Sequence, residues 1–570
     1  MAETHKTISC YTISDIEMTG LNKIPITIGV VGHLDVITTE EHRLQIEQLF
    51  KDLASEYPNS PIYLFSSIAE GADRFVANIF LDLKRKNEDY RQKFELIVPT
   101  PFEAAEYKKD FDDVSDREFD ELVKQSKRSF CIGYYGKEID RPQQYLKTGK
   151  FVADSSLILI ALWDGEEGKK GGTADIVNYK RTGDDDNVAE STFDYDGSVY
   201  VLPCTRIGSP DQGLKEQNWE VKLSLELVLK DSSIKEALEK IEEINSDSLK
   251  VGQPAFEKSQ YFLFNSSEKQ DVSQNSILCW YSIFDVLSLR FQKRDMRTAV
   301  WLFIIGLFLV LTLEIYTNLW LNNLVLGVAM LFIVSAIIVY FNSRIKKNHK
   351  KYLYNRTHAE ALRIQFYWNI AGINKNVSDY ILRIHRKEFT WIKHILSSIY
   401  GVTYTKNSFT STAIDNLTKN WVKNQADFFD SSIKKMTRKL VHNHIISNTS
   451  FIVASALLIS VFFLEKFYEM NRYLNPLIVA IGTLLSLFAM IKAFIKMKGY
   501  YQLLNQYELM NVIYQRAEAK INEVNAILQE TDEYHSYLKA LFFIIGKEAL
   551  IENGNWYLIF KEKEPEIEGI

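Results

Sequence analysis

Cysteine is scarce in this sequence, with four residues in 570, at positions 10, 131, 204 and 279. They form no CxxC pair, which argues against a zinc site or a disulfide framework and favours reduced thiols in a cytosolic setting. The first ten residues, MAETHKTISC, lack a basic start followed by an apolar run, so we expect no cleavable signal. The net charge of −6 argues against nucleic acid as the main partner. Insertion into a membrane would therefore depend on internal segments.

Charge is almost missing from four long apolar stretches, at 299–319, 323–341, 447–464 and 476–494. Each approaches the roughly 20 residues that a helix needs to cross a hydrocarbon core about 30 Å thick. The charges inside them are Glu314, near the far end of the first stretch, and Lys492, near the close of the fourth. Buried helices of soluble proteins are rarely this long or paired, so the sequence predicts four transmembrane helices.

Short connections join these stretches in two pairs, TNLWLNN between the first two and EKFYEMNRYLN between the last two. Each pair is therefore predicted to form a helical hairpin across the bilayer. Basic residues cluster beyond the outer ends of both hairpins, whereas the first connection carries no charge and the second carries two bases. By the positive-inside rule this distribution predicts that both termini are cytoplasmic.

The membrane half has an internal repeat, in which a basic helix, a hairpin and a long polar helix follow one another. The first unit spans 276–397 and the second spans 413–570, with a linker at 398–412. The long helices are amphipathic, and their simplest role is to pack on one another beneath the membrane. Secondary transporters usually carry a series of ionisable groups or broken helices at the midplane. The four stretches lack such a series, so a solute transporter is disfavoured.

The N-terminal part has a different pattern, because residues 24–206 alternate between apolar strand-like runs and amphipathic helical runs. This alternation predicts a Rossmann-like α/β domain with a parallel sheet and helices on both faces. Residues 1–23 are expected to form an N-terminal extension, and 207–275 a helical linker region. Ligands of open α/β sheets bind beyond the carboxyl ends of the strands.

Three predicted strand ends carry groups suited to a phosphate ligand. GVVGH closes the first strand with glycine, which allows close backbone approach, although the GxGxxG dinucleotide fingerprint is missing. SSIAEGADR is a small-residue turn into a helix, whose free N–H groups attract phosphate. GKKGGT places two lysines beside a turn. Each motif alone also fits an ordinary turn and helix cap. The predicted ligand-binding residues are Gly32, His33, Ser66, Ser67, Glu70, Gly71, Asp73, Arg74, Lys169, Lys170, Gly171, Gly172 and Thr173.

The order of several segments carries a resemblance to known families. VVGHLD, SSIAEGADRFVA, VPTPFEAAEYKKDF and WDGEEGKKGGTADIV together resemble a SLOG domain, the Rossmann-like superfamily of LOG phosphoribohydrolases and bacterial nucleotide sensors. The second half resembles SLATT domains, two-helix membrane effectors that occur with SLOG domains and nucleotide cyclases. The residues of that match are AEALRIQFYW with the following AGI, WVKNQADFF, and IGKEALIENGNWYLIFKEKEPE.

The resemblance implies a membrane effector of a bacterial antiphage system. Its SLOG domain would sense a nucleotide-derived second messenger, either a cyclic oligonucleotide or an ADP-ribose derivative. The messenger would trigger oligomerisation or opening of a pore that disrupts the bacterial inner membrane, an abortive infection. Implied partners are further copies of the chain, the lipid bilayer, and a cyclase or TIR-type enzyme that makes the messenger.

The alternative is a membrane-anchored nucleotide or NAD hydrolase of the LOG type. Such enzymes carry a PGGxGTxxE motif whose glutamate acts on the ribose. Here Gly171, Gly172 and Thr173 are followed by Ala174 and Asp175, without that glutamate. Glu70 and Asp73 are the other acids near the predicted pocket, where they would accept ribose hydroxyls or cap a helix. We therefore predict no catalytic residue and no metal site, and expect a sensor rather than an enzyme.

Overall fold

The computed structural model of the chain describes residues 23–132, 140–168, 171–183, 198–208, 223–264, 272–381, 386–406, 409–468, 471–527 and 531–561. Most of the predicted N-terminal extension and the end of the predicted second membrane unit therefore lie outside the described residues.

Six parallel strands form the central sheet of the N-terminal half, which confirms the predicted α/β architecture. The order across this sheet is β5-β4-β3-β1-β6-β7, while β2 and β8 pair with each other in an antiparallel ribbon. Strands β1, β3 and β6 are buried on both faces, as strands covered by helices on both sides must be. In chain order the strands are β1 (Ile26–Gly32), β2 (Val36–Ile37), β3 (Ile62–Phe65), β4 (Phe94–Thr100), β5 (Arg128–Cys131), β6 (Ile158–Trp163), β7 (Val199–Pro203) and β8 (Thr205–Arg206).

Helices surround this sheet on both faces. A Cβ atom added at Gly32 would meet Ala72, and one added at Gly29 would meet Ser156. Because side chains separated by an odd number of residues point to opposite faces of a strand, α2 and the end of α6 lie on opposite sides of the sheet. The helices of this half are α1 (Glu40–Glu56), α2 (Ala72–Lys86), α3 (Glu88–Arg91), α4 (Ala104–Tyr107), α5 (Asp113–Gln125), α6 (Arg141–Ser155) and α7 (Thr173–Thr182).

Two details of this half differ from the sequence-based expectation. The sequence predicts one helix over 101–125, but the structure divides this segment. Asp112 accepts hydrogen bonds from the backbone N–H groups of Val114 and Ser115, so a separate helix, α5, begins after it. Strand β5 was not predicted, since its four residues, RSFC, show neither an apolar run nor a clean alternation.

The region between the sheet and the first predicted span is folded against both. It contains α8 (Leu225–Val228), α9 (Ser232–Ser248) and α10 (Gln253–Leu263). Asn245 in α9 accepts a hydrogen bond from the Ile24 N–H and donates one to the Ile24 carbonyl oxygen. On the other side of α9, Lys351 forms ion pairs with Glu243 at 3.0 Å and Asp247 at 2.6 Å. The region predicted as a linker therefore braces the start of β1.

The C-terminal half is mostly helical, and four of its described helices are long and apolar enough to cross a membrane. These four, α11, α12, α16 and α17, contain the four apolar stretches. The second predicted connection is mostly helical, because α16 ends at Tyr468 and α17 begins at Asn471. The helices of this half are α11 (Val272–Asn318), α12 (Asn323–Ile345), α13 (Asn348–Ile370), α14 (Arg386–Thr403), α15 (Ser411–Leu417), α16 (Asn424–Tyr468), α17 (Asn471–Lys498), α18 (Tyr500–Ile527) and α19 (Asp532–Lys561).

The two halves share one hydrophobic core, in which buried apolar side chains form a contiguous cluster from Ile24 to Leu550. Helix α14 is central to this arrangement. It runs through the predicted boundary at residue 397, and it packs against α6 of the α/β half as well as against α9 and α13. With 47 residues, α11 is about 70 Å long, so it extends well beyond a bilayer core and reaches this shared core.

Candidate functional site

Most of the described residues of the predicted site follow the carboxyl ends of β1 and β3, at one edge of the sheet. From β1 the chain proceeds through β3, β4 and β5 on one side, then returns to β6 on the other side of β1. The strand order therefore reverses between β1 and β6, and ligands of open α/β sheets bind in the crevice at such a reversal. The loops after β1, β3 and β6 carry the three predicted motifs.

A histidine–aspartate pair lies at this reversal point. The Nε2 atom of His33, after β1, is 2.9 Å from Oδ1 of Asp164, which follows β6. Asp164 also accepts a hydrogen bond from the Glu166 N–H at 3.0 Å. Both side chains of the pair are mostly buried, with 11% and 16% exposure. Asp164 was missing from the predicted set, although its position directly after the apolar run ILIALW marks it as a strand-end residue.

At Gly32 and Gly71, neighbouring atoms of the protein leave no room for a side chain. A Cβ atom at Gly32 would lie under 3.0 Å from Ala72 and from the Leu162 carbonyl oxygen. Gly71 has φ +76°, and a Cβ atom there would collide with the carbonyl oxygens of His33 and Leu34. The Ala72 N–H also donates to the His33 carbonyl oxygen at 3.1 Å. The two glycines thus bring the start of α2 directly onto the end of β1.

Arg74 holds the loop after β3 instead of pointing to open solvent. Its Nε donates to the Ile68 carbonyl oxygen at 3.0 Å, and Nη1 donates to Ser115 and pairs with Glu118 at 2.9 Å. The arginine is 4% exposed. Ile68 has φ +48°, a backbone conformation that is strained for a β-branched residue. Such strain persists only where surrounding contacts enforce it, and here Arg74 and α5 supply them.

Asp73 is also an internal brace of this loop. It is 7% exposed, and it accepts hydrogen bonds from the backbone N–H groups of Ser67 and Ala69. Burial raises the pKa of Asp73 to about 7, against the opposing effect of those hydrogen bonds. Ser66 belongs to the same network, since its Oγ accepts from the Ile68 N–H at 3.0 Å.

Glu70 differs from its neighbours because its side chain is half-buried and has no hydrogen-bond or ion-pair partner among the described residues. It lies at the turn between Ser67 and Gly71, next to the end of β1. Of the acids predicted near the pocket, Glu70 is thus the one whose oxygens are free to accept a ligand's hydroxyl groups.

Gly171 of the third motif lies against the first turn of α6. Gly171 has φ +81°, and a Cβ atom there would collide with the Pro142 carbonyl oxygen. The Gly171 N–H donates to Oδ2 of Asp175 at 2.7 Å, so that carboxylate is engaged within its own turn. Gly172 precedes α7 and Thr173 begins it, without a side-chain cap. Lys169 and Lys170, the predicted phosphate cradle, lie outside the described residues.

The structure thus brings the first two motifs into direct contact and joins the first to β6 through the His33–Asp164 pair. Of the third motif, Gly171 lies against the first turn of α6. Among the described residues, no group of three histidine, cysteine or carboxylate side chains is arranged to hold a metal ion. Compared with models of protein families and with curated proteins, the chain matches none. The SLOG and SLATT resemblances and the predicted site residues therefore stay predictions.

Proposed function

We propose that the chain is a membrane effector controlled by a nucleotide-derived second messenger. The messenger, a cyclic oligonucleotide or an ADP-ribose derivative, binds at the carboxyl edge of the sheet. Its binding favours one packing of the membrane helices, which assemble or open and breach the bacterial inner membrane with both termini in the cytoplasm. In the organism this response ends a phage infection by arresting the infected cell, and a cyclase or TIR-type enzyme supplies the messenger.

The observation that carries this proposal is the docking of α14 on the sheet. The Oγ1 atom of Thr27 in β1 is 2.7 Å from Oγ of Ser398 in α14. Arg128 in β5 donates to the carbonyl oxygen of Val402 at 2.6 Å and to that of Tyr404. The α/β half is therefore joined to the helical half by buried contacts, as a sensor that controls membrane helices requires.

Helix α6 supplies a route from the proposed ligand site to α14. The Pro142 carbonyl oxygen in its first turn lies close to Gly171, and its last residue, Ser155, packs against Gly401 of α14. The rings of Phe151 in α6 and Tyr400 in α14, with centroids 6.3 Å apart, add a further contact between the two helices. A ligand shifts an equilibrium only through contacts that differ between two states. A messenger that moves the third motif against α6 would create such a difference at α14.

The hydrolase alternative receives less support from the geometry. Of the acids in the third motif, Asp175 is the nearest substitute for the missing LOG glutamate, and its carboxylate already accepts the Gly171 N–H. Asp73 is buried and turned into the loop after β3. A general acid or base must reach the substrate within hydrogen-bond distance. Glu70 alone of these three acids has the exposure and the freedom to do so.

The experiment uses the full chain in proteoliposomes that contain a fluorescent dye. A panel of cyclic oligonucleotides and ADP-ribose derivatives is added, and dye release is measured together with the thermal unfolding midpoint in detergent. We expect one ligand class to raise the midpoint and to release dye. The Lys169→Gln/Lys170→Gln variant should lose both effects while still inserting, because it removes two cations from the phosphate site.

The matched control is Lys124→Gln/Lys235→Gln, which removes two exposed lysines of α5 and α9 outside the three motifs. It should respond as the unmodified chain does. Equal responses of the two double variants would refute the placement of the site. Release of a base or of nicotinamide from the bound ligand, without dye release, would instead support the hydrolase.

A further inference from the structure

A large cavity lies away from the sheet, where the two membrane units meet at the ends of the spans. Its volume is about 710 Å³, within the range of ligand pockets, and residues of α11, α12, α13, α16, α17, α18 and α19 line it. From the spans themselves come Leu302, Phe303, Met490, Ala493 and Phe494. One end of the cavity is therefore apolar and lies within the predicted membrane.

The other end of the cavity is strongly basic. Six lysines and arginines line it against three acids, Asp295, Glu360 and Glu552. The basic residues are Arg344, Lys347, Arg356, Arg363, Lys439 and Lys498.

The three acids do not neutralise this excess. Lys498 pairs with Asp295 at 2.9 Å, and His349 approaches the same carboxylate at 3.6 Å. Glu360 is shared by two arginines, Arg356 at 3.0 Å and Arg363. Burial raises the pKa of Glu552 to about 7, so this carboxyl carries only part of a negative charge near neutral pH. The cavity thus keeps a positive surplus.

Lys347 and Lys439 account for much of that surplus. Both side chains are exposed, and neither has an ion-pair or hydrogen-bond partner among the described residues. Two buried polar atoms of the lining also lack partners in the described part of the chain, Oδ1 of Asn348 and Nε of Arg363. Asn348 is 5% exposed and begins α13 beside Lys347. Unpaired buried polar groups cost free energy, which an occupant with both a hydrogen-bond donor and an acceptor would recover.

We propose that this cavity binds an anionic phospholipid of the leaflet that contains the basic ends of the spans. The phosphate lies between Lys347 and Lys439, and an acyl chain extends along Phe303 and Phe494 into the bilayer. An anion with an apolar tail matches the two ends of the cavity, which a free phosphate or a neutral lipid does not. Basic pockets between transmembrane helices attract anionic headgroups by this combination of charge and apolar contact. The lipid joins the two membrane units, independently of any nucleotide bound at the sheet.

The test uses the full chain in detergent with a short-chain probe, dioctanoyl phosphatidylglycerol. Its affinity is read from the rise in the thermal unfolding midpoint during titration. Dioctanoyl phosphatidylcholine and inorganic phosphate serve as comparison probes. We expect phosphatidylglycerol to stabilise the protein, and the other two to have little effect at the same concentrations.

Charge variants locate the effect. Lys347→Gln/Lys439→Gln should weaken phosphatidylglycerol binding roughly thirtyfold, since each basic residue near an anionic lipid contributes a factor of about five. The matched control, Lys346→Gln/Lys435→Gln, removes two exposed lysines that do not line the cavity and should bind as the unmodified chain does. Ala493→Trp fills the apolar end without changing charge and should also weaken binding.

Three outcomes would overturn the proposal. Equal losses in the two lysine variants would mean that the lipid binds only to the general surface. Equal stabilisation by phosphatidylcholine would remove the role of charge. Stabilisation by inorganic phosphate, lost in Lys347→Gln/Lys439→Gln and retained in Ala493→Trp, would assign the cavity to a free anion.

Discussion

Gly401 lies where α14 of the helical half crosses the end of α6. A Cβ atom added there would lie under 3.0 Å from Cβ and Oγ of Ser155, and 3.1 Å from the ring of Phe65. Carbon atoms in contact are about 3.5–4.0 Å apart, so Gly401→Ala must separate the helices by roughly half an ångström or more. Both neighbours are buried, with at most 1% exposure, and have little room to turn aside.

The expected magnitude follows from two opposing terms. Overpacking of a close-packed core costs about 1–3 kcal/mol, whereas alanine is favoured over glycine within a helix by about 1 kcal/mol. We therefore expect Gly401→Ala to destabilise the protein by up to about 2 kcal/mol. Ser155→Gly removes the two atoms that collide, so the double variant should regain most of that loss. The coupling free energy between the two positions should then be about 1 kcal/mol or more.

The assay is a double-mutant cycle on the full chain in detergent, with the thermal unfolding midpoint as the readout. Gly327→Ala in α12 is the matched control, because a Cβ atom there meets nothing within 4 Å. Dye release from proteoliposomes measures the functional effect, which should fall in Gly401→Ala and return in the double variant. If Gly401→Ala is as stable as the control, and Ser155→Gly changes nothing in its presence, the close packing of α14 on α6 is refuted.

Three further changes test the sheet edge and its link to α14. Gly71→Ala places a Cβ atom against the carbonyl oxygens of His33 and Leu34, at a positive φ, so we expect a lower thermal unfolding midpoint. Gly168→Ala is the control and should leave the midpoint unchanged, because a Cβ atom at Gly168 meets nothing within 4 Å. Thr27→Val leaves the buried Ser398 hydroxyl without this partner, at a cost of about 1–3 kcal/mol, whereas the Leu157 N–H keeps its hydrogen bond to the Thr27 carbonyl oxygen. Thr27→Ser should be tolerated, and equal midpoints of the two variants would contradict the contact. Burial raises the pKa of Asp73 to about 7, so this carboxyl group stays protonated to a higher pH in the folded state than in the unfolded chain. Stability should therefore fall as the pH rises from about 4 to about 7, and Asp73→Asn should flatten this profile of midpoint against pH; identical profiles would oppose it.

The large-scale organisation is readable from local sequence patterns. Four stretches nearly free of charge predict the four helices that are long and apolar enough to span a membrane, because length and hydropathy are properties of a single segment. Alternating strand-like and helical runs likewise predict the parallel sheet. The short strand β5 was not predicted because its four residues show no alternation of polar and apolar side chains. The division between α4 and α5 was not predicted because it depends on one capping aspartate.

The site is predictable only in part, since a motif shows which residues follow a strand but not what their side chains contact. The sequence places Gly32 and Gly71 near strand ends, and the structure has Gly32 at the end of β1 and Gly71 against the His33 and Leu34 carbonyl oxygens that follow it. The sequence does not reveal that Asp73 and Arg74 turn inward to hold their own loop, or that Asp164 pairs with His33. These side-chain contacts depend on which loops lie next to each other in the fold.

Local sequence patterns specify where the apolar helices and most of the strands lie, because hydropathy and periodicity act over a few turns or a few residues. The docking of α14 on the sheet and the basic cavity between the two membrane units come instead from long-range packing. Thr27 and Ser398 meet across 371 positions of the chain. Such a contact is fixed by the path of the whole backbone and by burial shared between both halves, which no local window of sequence contains.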